Sequence, residues 1–135
     1  MEKKAGRGVV KVSMGDIAKV NADAIICPAN TNLWMGDGVA GAIKRDGGRE
    51  IENEARRKAP VPIGSAVETN AGGLHARYII HAAAMDKDLR TDANKVRKAT
   101  RAALKKAEGL RLQSVAVPDI GTRAAGFPVE SAARI

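Results

Sequence analysis

Short apolar runs alternate with helical patterns along most of this 135-residue chain. Residues 9–12, 24–27, 77–82 and 114–117 are rich in β-branched or aliphatic residues, and residues 64–70 alternate before a hairpin-like return, as strands do. Helical spacing covers residues 38–45, 49–58 and 92–108, and a further helix start is indicated at 129–134. This repeated order predicts an α/β sheet with helices on its faces.

Glycine and proline define the expected helix ends. Gly47 and Gly48 separate the first two helices, and Pro60 follows the second. The long third helix is expected to begin at a Thr91 or Asp92 cap and to stop at Gly109. On the second helix, Glu52 and Arg56 have the spacing of an i,i+4 pair on a surface helix.

The turns after the apolar runs carry the candidate chemistry. Residues 9–43 hold two runs that end in polar or glycine-rich turns, and the second turn passes through Gly36-Asp37-Gly38 into a helix start rich in small residues. Such a turn lets backbone N–H groups approach an anion such as a phosphate. A second glycine-containing loop, residues 118–128, follows the last run. Ligands of α/β sheets lie at these carboxyl ends of strands.

Composition limits the remaining choices. We expect one domain over residues 1–135, because the length suits a single core. We also expect a cytoplasmic protein, since no apolar run is long enough for a membrane span and the N-terminal residues do not form a signal peptide. The single cysteine, Cys27, has no disulfide partner and is expected to be a buried strand residue.

A net charge of +8 and a pI near 10.0 keep a nucleic-acid-binding protein open as an alternative. The chain has only three aromatic residues and no zinc-binding or RNA-binding signature, so this alternative is unspecific. The charge is equally typical of the solvated surface of a heat-adapted protein. The basic face would consist of Lys95, Arg97, Lys98, Arg101, Lys105 and Lys106.

Four segments in this order resemble the macro domain, the ADP-ribose-binding module. They are Gly15-Asp16-Ile17; residues 24–30 (AIICPAN) continuing into residues 36–40 (GDGVA); residues 78–83 (YIIHAA); and residues 117–128, which begin VP and end GFP. The likeness extends from about Val9 to the last residue. Together the four segments are far more specific than a lone glycine loop.

The resemblance implies a three-layer α/β/α fold with a mixed sheet, and a cleft for ADP-ribose between two loops, without a metal or cofactor. Asp16 would accept a hydrogen bond from the adenine amino group, the backbone N–H of Ile17 would meet the base, and Asn30 would hold the distal ribose. Further contacts would come from the loop residues Gly38, Val39, Ala40, Gly121, Thr122, Arg123, Ala124, Ala125, Gly126 and Phe127.

Each role has a simpler structural alternative. Asp16 could cap the turn after Gly15, and Asn30 could hydrogen-bond to loop backbone. Trp34 could line the rim of the cleft or pack on the following helix. His81 is expected at a strand end without a catalytic duty, and His75 in an exposed turn.

The chain also departs from the family pattern. Ala40 stands where some hydrolytic members have aspartate, so Asn30 and Asp37 are the only catalytic candidates for hydrolysis of ADP-ribosyl esters or of the 1″-phosphate. Relative to the family, the chain lacks the usual last strand and helix. We therefore expect a truncated or engineered fragment whose sheet is completed by rearrangement or by a second copy in a homo-oligomer. An inert scaffold is a third alternative.

Overall fold

The computed structural model describes residues 2–5, 8–11, 16–36 and 38–118. A 3-10 helix occupies Ile17–Lys19. The other elements, in chain order, are β1 (Glu2–Ala5), β2 (Gly8–Lys11), β3 (Ala24–Asn30), α1 (Gly38–Gly47), α2 (Arg49–Lys58), β4 (Ala66–Asn70), β5 (Tyr78–Met85), α3 (Ala93–Gly109) and β6 (Val115–Ala116).

The main sheet has the strand order β4-β5-β3-β6. β3 is parallel to both β5 and β6, whereas β4 is antiparallel to β5. The sheet is therefore mixed, and the predicted hairpin-like return between β4 and β5 is confirmed. β3 lies inside the sheet, which explains its continuous apolar run: Ile25, Ile26 and Cys27 are all fully buried.

Helix α3 covers one face of the sheet. Ile26 of β3 and Ile80 of β5 pack with Val96, Ala99 and Ala103 of this helix. The small and branched residues that recur at helical spacing along α3 thus face the sheet, and the charged residues between them face outward.

Helices α1 and α2 cover the opposite face. Ile25 and Ile79, the strand neighbours of the residues that face α3, pack with Ile43 of α1 and Ile51 of α2 because successive strand residues point to opposite faces. The predicted α/β sheet with helices on both faces is confirmed.

The first apolar run does not join this sheet. β2 pairs antiparallel with β1, with Val10 opposite Lys3, in a separate two-stranded sheet. The strand expected at 9–12 is present as β2, but it is not part of the main sheet into which the alternating pattern led us to place all the apolar runs. Residues 2–5 carry no apolar run, so nothing in their composition indicated a local partner for β2.

The break between α1 and α2 is at Gly48, as predicted, where φ is +108°. Helix α1 runs two residues past its predicted end, and its last residue, Gly47, accepts a 2.9 Å hydrogen bond from the N–H of Gly73. A Cβ on Gly72 would lie 2.1 Å from the Gly47 carbonyl oxygen. Glycine at 72 therefore lets the β4–β5 turn contact the end of α1.

The end of α3 differs from the prediction. Asp92 caps its start, accepting a hydrogen bond from the N–H of Lys95 at 2.9 Å. Gly109, however, still belongs to the helix, and the residue with a left-handed backbone is Arg111, at φ +58°. The N–H of Leu112 reaches back to Ala107 and that of Arg111 to Glu108. These two bonds form a Schellman motif whose usual glycine position holds arginine.

Two reactive side chains are buried in the sheet. Cys27 is buried as predicted, and burial raises the pKa of its thiol to about 12. His81 is not at a strand end, because β5 continues to Met85. Its Nε2 lies 2.9 Å from Thr69 Oγ1, and burial lowers its pKa to about 4. Both residues are therefore neutral at physiological pH.

Candidate functional site

The candidate site lies at the edge of the sheet where β3 ends. The parallel strands β3, β5 and β6 present their carboxyl ends at the same edge. From Asn30 the chain continues through residues 31–36, here called the β3–α1 loop, to the first residue of α1. Because β3 lies between two parallel neighbours, this loop begins in the middle of the row of strand carboxyl ends. Ligands of α/β proteins bind at that position.

Asn30 organises the beginning of the loop. Its side-chain oxygen accepts hydrogen bonds from the N–H groups of Asn32 (2.9 Å) and Trp34 (3.4 Å), and its amide donates to the Trp34 carbonyl at 3.3 Å. This is the simpler role considered for Asn30 from the sequence. The side chain therefore fixes the loop backbone, whatever else it contacts.

Helix α2 holds the same loop from outside. The carboxylate of Glu52 accepts a 2.6 Å hydrogen bond from the N–H of Met35, and Arg56 donates to the carbonyl of Asn32. The Arg56 guanidinium also lies 3.6 Å from the centre of the Trp34 ring. The ion pair of Glu52 in the described part of the chain is with Lys44, not with Arg56 as the i,i+4 spacing suggested. No pattern in the sequence indicated these loop contacts.

Leu33 occupies an unusual backbone conformation in the middle of the loop. Its φ is +59°, in the left-handed region that branched side chains rarely adopt. The side chain is fully buried with Ala29, Ala55 and Val61. Leu33 is therefore buried only while the loop keeps this left-handed backbone conformation, which other contacts must stabilise.

The first residues of α1 face the same edge. Gly38 begins the helix at φ +62°, and a Cβ there would meet no atom within 4 Å, so the backbone conformation rather than space favours glycine. Val39 and Ala40 follow in the first turn, where N–H groups and the helix dipole favour an anion.

Asp16 and Ile17 lie next to this helix start. Ile17 and Ala18 belong to the same apolar cluster as Val39 and Ala40. Asp16 is exposed, and one of its carboxylate oxygens caps the 3-10 helix by accepting the N–H of Ala18 at 3.0 Å. The structure thus brings together the first group of predicted site residues, 16–17 and 38–40, and gives Asp16 the capping role as well.

The remaining site residues predicted from the sequence lie outside the described residues. They are Asp37 and the residues of the second loop (Gly121, Thr122, Arg123, Ala124, Ala125, Gly126 and Phe127).

The two side chains with no assigned ligand contact, Trp34 and His75, are both exposed. Trp34 is 55% exposed and contacts Arg56 of α2, so it packs on the second helix rather than on the first. His75 is exposed, as predicted.

Within residues 2–5, 8–11, 16–36 and 38–118, no helix has the length and apolar character that crossing a membrane requires. Nor do three or more His, Cys, Asp or Glu side chains cluster there in a way that could hold a metal ion.

The sequence of this chain matches a known protein family. The family model of the macro domain matches residues 26–135. A protein of Aquifex aeolicus is 51% identical over 126 residues, which cover 93% of this chain and 76% of that protein.

Solved structures agree with this match. A mutant Oceanobacillus iheyensis macrodomain with ADPR has a TM-score of 0.84 at 26% identity, covering 98% of this chain and 76% of that one. The same macrodomain with ADP has a TM-score of 0.80 at 27% identity, covering 98% and 74%.

Proposed function

This chain belongs to the macro domain family, and we propose that it binds ADP-ribose or an ADP-ribosyl group at the β3 end of its sheet. The observation that carries the proposal is the junction of β3 with α1. There a constrained loop brings Asn30, the left-handed Gly38 and the neighbouring Asp16 to one edge. Similar macrodomains solved with ADPR and with ADP support the choice of ligand.

Asp16 is the proposed adenine contact. Its capping bond to Ala18 uses one carboxylate oxygen, and the side chain is exposed, so the other oxygen is available to a donor from the ligand. A carboxylate accepts hydrogen bonds only, which selects the amino edge of adenine. The backbone N–H of Ile17 would meet the same base.

The pyrophosphate would lie at the start of α1. Gly38, Val39 and Ala40 form the first turn, where N–H groups that have no partner within the helix and the helix dipole attract negative charge without a lysine. Residues 121–127 are proposed to bind the pyrophosphate through their N–H groups, and Asn30 to shape the loop that holds the distal ribose.

Binding is favoured over catalysis. Asn30 directs its side-chain oxygen and amide to the loop backbone, which makes it a poor candidate for positioning a water. Hydrolysis is therefore a separate hypothesis that rests on Asp37. Release of inorganic phosphate from ADP-ribose 1″-phosphate, abolished in Asp37→Ala, would support it, and no release above the uncatalysed rate would refute it.

Calorimetric titration with ADP-ribose tests the binding proposal through two variants of Asp16. Asp16→Asn keeps an oxygen that can cap Ala18 but replaces the second acceptor by an NH₂ donor, whereas Asp16→Ala removes both. Hydrogen bonds to charged groups contribute roughly 1.5–3 kcal/mol, so both variants should bind at least about tenfold more weakly. Only Asp16→Ala should also lose stability. Unchanged affinity in Asp16→Asn would contradict the adenine contact.

A second candidate function is binding of nucleic acid by α3. This helix carries six lysines and arginines and one carboxylate, so its net charge is +5; the net charge of the whole chain is +8. Lys98, Arg101 and Lys105 are exposed, and none of them has an ion pair among the described residues. Shallow depressions of about 490 and 420 Å³, also lined by lysines, lie along this helix.

Salt dependence distinguishes this function from the first. Binding of a labelled single-stranded RNA should weaken steeply between 50 and 200 mM salt, with a log–log slope of about −0.7 per phosphate neutralised. Two triple variants to Gln have equal charge loss: one on α3 (Lys98, Arg101, Lys105), and one control on α1 and α2 (Arg45, Arg49, Arg57). Only the α3 variant should reduce the slope, and an equal effect of both would refute a specific face.

Pairing between copies at the sheet edge stays a proposal as well. β6 is a two-residue strand at the edge of the described sheet, bonded to β3 on one side. A second copy could add a strand there. Light scattering that finds a monomer at all working concentrations would refute this.

A further inference from the structure

We infer that Glu52 and Arg56 are positioning residues that hold the β3–α1 loop in its ligand-binding shape. The inference rests on the proposed function and adds a part of the chain, the α2 surface, that no predicted site residue occupies. We call this pair the α2 bracket.

The bracket contacts the loop at two points. The carboxylate of Glu52 accepts the Met35 N–H at 2.6 Å, and the guanidinium of Arg56 donates to the carbonyl of Asn32. The two side chains are one helical turn apart, about 6 Å along the axis, and the two loop groups are three residues apart. One rigid helix surface therefore fixes both ends of the segment between them.

That segment contains the strained residue. Leu33 has φ +59°, and Trp34 follows it, with the Arg56 guanidinium 3.6 Å from the centre of its ring. A leucine leaves the left-handed region readily unless surrounding contacts oppose it. The two loop groups that the bracket contacts, at Asn32 and Met35, flank Leu33 in sequence, so the bracket opposes this relaxation directly.

Glu52 also links the loop to the helix that follows it. Its other carboxylate oxygen lies 3.4 Å from the Nζ of Lys44, and the Glu52 side chain is only 15% exposed. Loop, α1 and α2 are thus joined at one carboxylate. A half-buried charge with two partners is costly to move, which makes it a firm support.

The expected consequence is weaker binding without loss of the fold. If the binding-competent loop falls to about a tenth of the population, the apparent Kd rises about tenfold. Glu52→Ala and Arg56→Ala should both show this. Glu52→Gln keeps an oxygen acceptor for the Met35 N–H, so it should retain most of the affinity that Glu52→Ala loses. Arg57→Ala is the control, because Arg57 is an exposed arginine on the same helix.

The loop can be observed without any ligand. Trp34 is the only tryptophan of the chain, so its fluorescence reports on the loop alone. Glu52 hydrogen-bonds Met35, so Glu52→Ala leaves the Arg56 stack on the indole in place. A rise in acrylamide quenching of Trp34 in Glu52→Ala, absent in Glu52→Gln and Arg57→Ala, would therefore reflect a freed loop.

The proposed function and the α2 bracket are refuted by different results. A wild-type protein that gives no heat with ADP-ribose refutes the proposed function, and with it the use of the bracket for that ligand. Unchanged quenching in Glu52→Ala refutes the bracket itself. So does wild-type affinity in both Glu52→Ala and Arg56→Ala, or an affinity loss that Glu52→Gln does not reverse at equal thermal stability.

Discussion

The buried His81 should make the domain unstable in mild acid. Its imidazole is almost completely removed from water, with Nε2 against Thr69 Oγ1 and no partner for Nδ1 among the described residues. Burial is the main cause of its pKa of about 4, with a smaller contribution from the positive charge of Lys58 and an opposing one from Glu54. The folded protein therefore holds this histidine neutral.

The size of the effect follows from the two pKa values. In the unfolded chain the histidine pKa is near 6.5, so on acidification the unfolded state binds a proton first and stability is lost from about pH 6.5 down to about pH 4. Linkage between these values gives a loss of about 2 kcal/mol between pH 7.5 and pH 5.0. Above pH 7 this residue contributes no pH dependence.

Urea unfolding at pH 7.5, 6.5, 5.5 and 5.0, followed by circular dichroism, measures this loss. His81→Gln removes the titration and should flatten the profile over this range, even if it lowers stability at every pH. His75→Gln is the matched control, since His75 is exposed, and should keep the wild-type slope. Equal slopes in wild type and His81→Gln would show that the buried imidazole does not control acid stability.

Three substitutions test the backbone geometry by thermal unfolding. Gly72→Ala should cost roughly 2 kcal/mol or more, because its φ is +54° and the added Cβ would meet the Gly47 carbonyl; Gly73→Ala, whose Cβ would lie 3.8 Å from the same atom, is the control and should be much milder. Arg111→Gly should add about 1 kcal/mol by relieving its left-handed conformation. Gly109→Ala should stabilise the domain by about 0.5–1 kcal/mol, because Gly109 is helical and open space surrounds it; destabilisation there would mean that Gly109 is the helix stop after all.

The elements of the main sheet could be predicted because their signals are local. Ile25 and Ile26 lie in a strand buried on both faces, and a continuous apolar run is what such a strand requires. The partner of β2 could not be predicted in the same way. Its hydrogen bonds go to β1, a charged segment with no strand pattern, and backbone pairing alone leaves no mark on composition.

Half of the candidate site was predictable for a related reason, and the α2 bracket was not. Asp16 and Gly38 belong to a recognisable motif, whereas Glu52 and Arg56 have a spacing that fits a mutual ion pair equally well. The loop decides between these arrangements. Leu33 and Met35 are buried, so the backbone next to them is partly removed from water and needs hydrogen-bond partners. The N–H of Met35 and the carbonyl of Asn32 find them on α2, and an unsatisfied buried backbone group would cost more than a surface ion pair gains.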